Sequence, residues 1–220
     1  RKTDRFLSLG ANINTKELSP FKFKDIIILI IKTIKQKHIF LLILFCLTSN
    51  LASGIHFSSI SYLYTNYADW ESFDLTFYRS VALYGGILAA LLGGYLSDKV
   101  NSQLIIKISH ISLGFLCLLI AIHTNIIMNQ FFGIGILLAF SFFNSFALTA
   151  VLSLCMKFSL SSSAASIFAI FMSTRHFSRI IGETFAGISD GFFNLTVSSI
   201  YLIAAFLCIL PLIFLSYFKP

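Results

Sequence analysis

The feature that most constrains this chain is a series of long stretches nearly free of charge. Six of them run from Ile39 to Tyr62, Tyr78 to Ser97, Gln103 to His123, Asn129 to Met156, Ala164 to Ile188 and Val197 to Tyr217. A helix rises about 1.5 Å per residue, so about 20 apolar residues cross the roughly 30 Å of bilayer hydrocarbon. Each stretch reaches that length. The predicted fold class is an all-α membrane protein, a bundle of six transmembrane helices over residues 39–220.

Composition supports a lipid-facing surface. Charged residues make up 11% of the chain, against about 25% in soluble domains, and the mean hydropathy is +0.87. Too few charges remain to cover a water-facing surface. The first twenty residues are polar and of mixed charge, which excludes a secretory signal there. The chain opens on Arg1, and a longer parent protein is expected. Cys46, Cys117, Cys155 and Cys208 each sit inside an apolar run without CxxC or metal-ligand spacing. They read as small apolar side chains, so no metal and no cofactor is expected.

Residues 1–38 form the polar opening. Ser19-Pro20 has the pattern of a helix start, and Phe21–His38 carries Lys22, Lys24, Lys32, Lys35 and Lys37 around the short apolar run Ile26–Ile31. This predicts a basic amphipathic helix on an anionic membrane face.

Charge also predicts orientation. With the N-terminus inside, 13 of the 16 basic residues fall on the inner side, while Asp69, Glu71, Asp74 and Asp190 fall outside. The positive-inside rule therefore puts both ends of the chain in the cytoplasm. The net charge of +7 is then mostly topological, which excludes nucleic acid as the expected partner. Arg79 falls near the outer side, and Arg175 and Arg179 lie within a span. The outer loop Tyr62–Phe77 adds Tyr62, Tyr64, Tyr67 and Trp70, expected as an interfacial aromatic belt.

The second span ends in Gly93-Gly94-Tyr95-Leu96-Ser97-Asp98-Lys99. This resembles the loop signature of the major facilitator superfamily: Gly, two residues, a small residue, Asp, then a basic residue. In that family the signature joins the second and third helices of each six-helix half, on the cytoplasmic side. Here it joins the second and third spans, and charge puts it inside independently. The motif has a physical reading. Gly94 lets a neighbouring helix approach closely. Asp98 can accept hydrogen bonds at a neighbouring helix N-terminus, with Ser161–Ser163 as a nearby terminus, and Lys99 completes the gating loop. The sequence departs from the family where Val100-Asn101-Ser102-Gln103 replaces a further Gly and basic residues, which implies a weaker latch.

A basic opening followed by six spans resembles the central loop and C-terminal half of a twelve-helix facilitator. The resemblance implies a missing N-terminal half. The fifth span, Phe168 to Arg175 continuing through Arg179-Ile-Ile-Gly182 to Gly187, is similar to the penultimate helix of bacterial muropeptide permeases and acetyl-CoA transporter-like proteins. That implies a bacterial inner membrane.

Arg175, Arg179 and Glu183 are spaced i, i+4, i+8 and share one helix face. Arg175 lies eleven residues into the fifth span, about 16 Å deep. A central Arg costs at least about 2.5–3.5 kcal/mol on insertion scales, so it must face protein, water or an anion. Glu183 can neutralise Arg179, leaving one unpaired positive charge. An ion pair with the missing half and contact with an anionic substrate both fit it. His176, about 100° around the helix, reads as a packed residue.

Ser141, Ser145, Thr149 and Ser153 form an i, i+4 stripe on the fourth span. Such hydroxyls bond their own carbonyls or join helices. In facilitators the first and fourth helices of each half line the central cavity, so the resemblance makes Asn50, Ser53, Asn144 and Ser145 candidate substrate contacts. His56 has two readings, a packed residue and a proton carrier. Gly85, Gly86, Ala89, Ala90, Gly93 and Gly94 form two small-residue rows for close helix packing. No HExxH, no GxSxG and no carboxylate pair is present, so an enzyme is not expected. The expected function is secondary transport of a small anionic solute by alternating access, with protons as a possible coupling ion. A six-helix channel or self-assembling half-transporter is the alternative.

Overall fold

The computed structural model describes residues 31, 34–159, 164–191 and 195–217, with the side chains of 190 and 191 left out. Most of the predicted basic amphipathic helix, together with Ser161–Ser163, lies outside the described residues. Among those described, the chain is helical without strands. The helices are α1 (Lys37–Ser49), α2 (Leu51–Ser61), α3 (Ser72–Leu96), α4 (Ser102–Ile122), α5 (Gln130–Phe158), α6 (Ala164–Gly191) and α7 (Val197–Leu215). π-helical turns over Tyr62–Tyr67 and Ser97–Asn101, and a 3-10 turn over Thr124–Met128, fill the connections.

Among the described residues, four continuous helical stretches are long and apolar enough to cross a membrane: Lys37–Tyr67, Ser72–Ile122, Gln130–Phe158 and Val197–Leu215. The second stretch, at 51 residues, holds both α3 and α4. α6 has the length, 28 residues, but its polar and charged residues keep it out of that set. Asn50 sits between α1 and α2 at φ −119°, ψ 3°, a local break inside the first stretch.

Two apolar layers organise the bundle. The upper layer gathers Ile55, Leu75, Cys117, Ile136, Ala186 and Ile200. The lower layer gathers Leu42, Ala89, Ile105, Cys155, Ile167 and Leu215. Read in chain order, the described residues pass between these layers six times, alternating in direction. The 51-residue stretch reverses at Ser97–Asn101, because Leu75 near its start and Ile120 near its end share the upper layer. Asn101 makes that turn: its backbone is extended at φ −170°, ψ 123°, and its side chain accepts the Gln103 N–H to cap α4. Asn129 and Thr196 cap α5 and α7 in the same way.

Helix packing in lipid relies on close approach of small residues rather than on expelling water. α3 and α5 run parallel, with Ala82, Gly86, Ala89 and Gly93 buried on the contact face. The hydroxyl stripe of α5 meets them. Ser141 Oγ donates to the Ala82 carbonyl at 2.8 Å, and a Cβ on Gly86 would stand 2.8 Å from Ser145 Oγ, whereas Ser153 Oγ, at the end of the stripe, pairs with Ser102 Oγ of α4 at 3.1 Å. One face of α3 is therefore used, not two rows. Gly85 and Gly94 have open space where a Cβ would point. The close approach expected at Gly94 occurs one residue earlier, at Gly93, against Phe146 and Thr149.

Two of the four loop aromatics, Tyr64 and Trp70, turn inward, while Tyr62 stays exposed. Tyr64 is fully buried and donates to the Gly133 carbonyl at 2.9 Å. Trp70 Nε1 donates to the Ile127 carbonyl at 3.2 Å, and the two rings meet edge to face at 4.9 Å. Asp69, at φ 56°, turns the chain between them, a left-handed position that Asp tolerates better than most residues. Gly133 is required beneath the Trp70 ring, since a Cβ there would sit 3.1 Å from Cη2. These two bonds tie the loop to the start of α5 and to the turn that precedes it.

Candidate functional site: a cavity walled by three arginines

α2 and α6 touch backbone to backbone. A Cβ on Gly54 would lie 3.0 Å from the Glu183 nitrogen, and one on Gly182 would lie 3.1 Å from the Gly54 Cα. Neither residue tolerates a larger side chain without moving a helix. This crossing brings the polar face of α6 against the upper half of the first stretch. Asn50 N–H donates to Ser178 Oγ at 3.3 Å, and Asn50 Nδ2 reaches the Arg175 carbonyl at 3.5 Å.

A cavity of about 520 Å³ opens where α2, α3, α5 and α6 converge. Asn50, Ser53, His56, Asn144, Ser145, Arg175 and Arg179 all lie on its wall, so seven of the eight expected contact residues meet there. Glu183 does not. Its Oε1 accepts from Arg179 Nε at 2.7 Å, the one ion pair among the described residues.

Polar groups on the wall are tied to one another. Ser53 Oγ donates to Asn144 Oδ1 at 2.9 Å across the α2–α5 gap. His56, 4% exposed, pairs through Nδ1 with the Tyr201 hydroxyl at 3.0 Å and stacks on Phe140 with centroids 3.5 Å apart. The His56 ring is thus held by Tyr201 at its edge and by Phe140 on its face.

Arg175 is 8% exposed, and its Nε has no hydrogen-bond partner among the described residues. A buried guanidinium with an open donor is costly unless an acceptor arrives. Arg79 from α3 also lines the cavity. Its guanidinium lies 5.2 Å from the Phe57 ring centroid, and that of Arg179 lies 4.1 Å from the same ring. Cation–π contacts of about 0.5–2 kcal/mol hold each group near the wall without neutralising it.

Sequence reasoning missed Arg79 as a site residue because the charge count placed it near the outer side. His176 was read as packed, yet it is exposed and lines the cavity.

Asp98 is exposed with no hydrogen-bond partner among the described residues, and its expected partners at Ser161–Ser163 lie outside them. Lys99 Nζ sits 4.6 Å above the Tyr95 ring. Ser97 is buried beneath them.

The sequence profile of the Major Facilitator Superfamily matches residues 7–183, well over half of the chain. The chain belongs to the major facilitator superfamily. It is a multi-pass, all-helical membrane protein of a family of transporters rather than enzymes. No curated protein matches it.

Proposed function

We propose that this chain is the C-terminal six-helix half of a secondary transporter that carries a small anionic solute by alternating access. Each of the six passes between the two layers is then a membrane crossing, with α6 tolerated in lipid because its arginines turn to the cavity. Both ends lie on the cytoplasmic side by the distribution of Lys and Arg, in what we take as a bacterial inner membrane. The N-terminal half closes the open side of the cavity.

One observation carries the reading. Arg79, Arg175 and Arg179 share a single cavity wall, and the carboxylate that pairs with one of them, Glu183, stays off that wall. Such a wall attracts anions and repels cations. His56, bonded to Tyr201, is the residue on the wall best suited to take part in proton coupling. The likeness of the fifth span to muropeptide permeases makes an anionic sugar–peptide the first solute class to test.

The test is uptake by the full-length parent protein in proteoliposomes. Arg175→Gln is expected to abolish uptake of anionic solutes while membrane insertion and yield stay normal. Normal uptake by that variant would refute the assignment of the cavity. An inter-half ion pair at Arg175 would appear instead as uptake restored by a charge swap with an acidic residue of the other half.

A further inference from the structure

Two of the three cavity arginines have no counter-charge among the described residues, and they stand at different heights. Arg179 is paired with Glu183. Arg175 sits level with Asn50, whose amide meets its carbonyl. Arg79 sits level with Phe57, whose ring it overlies. Seven residues of the first stretch separate Asn50 from Phe57, about 10 Å of helix rise. Between the two levels the wall carries no further unpaired charge among the described residues: Ser53 is bonded to Asn144, and His56 is stacked on Phe140 beside the half-exposed Phe57.

From this two-level arrangement we infer that the solute carries two anionic groups at its two ends, joined by an uncharged middle. The lower group accepts from the open Nε of Arg175. The upper group lies on Arg79 beside the Phe57 ring. Loaded with such a dianion, the cavity reaches balance with both free guanidinium charges matched. A monoanion leaves one positive charge unmatched, and a compact dianion cannot reach both levels together. The inference rests on the anion-carrier reading of the same cavity and assigns Arg79 the part of a specificity-determining residue.

The test uses three probes on the purified full-length protein in detergent: adipate, hexanoate and malonate, at constant ionic strength. Adipate and hexanoate share a chain length and differ in the second carboxylate. Malonate has both charges but no span. Apparent affinity is read from ligand-dependent thermal stabilisation. Wild-type protein is expected to prefer adipate to each of the other two by about tenfold, the effect of one charge-assisted hydrogen bond. Arg79→Gln is expected to bring adipate down to the level of hexanoate. Arg79→Lys, which keeps the charge without the forked donors, is expected to keep part of the preference and serves if the Gln variant fails to fold. Equal affinity for adipate and hexanoate in wild-type protein overturns the two-ended solute, as does a preference that Arg79→Gln and Arg79→Lys both leave intact. If none of the probes stabilises the protein, or if all do so equally after Arg175→Gln, the anion-carrier reading itself falls.

Discussion

Gly54→Ala and Gly182→Ala test the crossing that builds the cavity. At Gly54 an added methyl would meet the backbone of Arg179 and Glu183, and at Gly182 it would meet the backbone of Leu51. A side-chain neighbour can rotate away, but a helix backbone cannot. The two helices must therefore separate by a sizeable fraction of a van der Waals diameter, losing dispersion contact along the whole crossing. Overpacking of this kind costs about 1–3 kcal/mol. The same substitution at Gly85 or Gly94, where a Cβ would meet open space, is expected to stay within about 0.5 kcal/mol. The assay is thermal unfolding of the four purified variants in one detergent. Because either methyl alone parts the helices, the double variant Gly54→Ala/Gly182→Ala should cost clearly less than the sum of the singles. The reasoning is refuted if Gly54→Ala is no more destabilising than Gly94→Ala, or if the two single costs simply add.

Two further outcomes follow from buried hydrogen bonds. Tyr201→Phe removes the partner of His56 Nδ1 and should cost about 1–3 kcal/mol, the penalty for an unsatisfied buried polar group; unfolding midpoints equal to wild type would show that the imidazole finds another partner. Trp70→Phe deletes the donor to the Ile127 carbonyl while keeping most of the ring. It should speed amide hydrogen exchange across Tyr62–Glu71 while leaving α6 unchanged, and equal exchange in both segments would show that Trp70 does not hold the loop.

Much of the site was legible as a set of residue types. Arg175 and Arg179 were conspicuous because charge within an apolar run demands a reason. Asn50, Ser53, Asn144 and Ser145 were picked by likeness to facilitators, and the fold brings them to one wall. Glu183 was legible as the partner of Arg179, since i, i+4 spacing fixes that contact within one helix. Arg79 was not legible, because its neighbours on the wall come from three other helices. The small residues of α3 show the same limit. Sequence marked six of them as one packing feature, yet the crossing with α5 selects Gly86, Ala89 and Gly93 and leaves Gly85 and Gly94 open.

The sequence by itself determined that this chain is helical, that its helices belong in lipid and which charges are exceptional there. Those properties depend on segment length, apolar content and helical spacing, all local to the chain. Tertiary structure decided which glycines are contacts, that Tyr64 and Trp70 turn inward, and that a third arginine joins the cavity. Each of those outcomes depends on how one helix is rotated about its axis against another. Spacing within a helix fixes which residues share a face, and only the neighbouring helix decides which face is turned to the cavity.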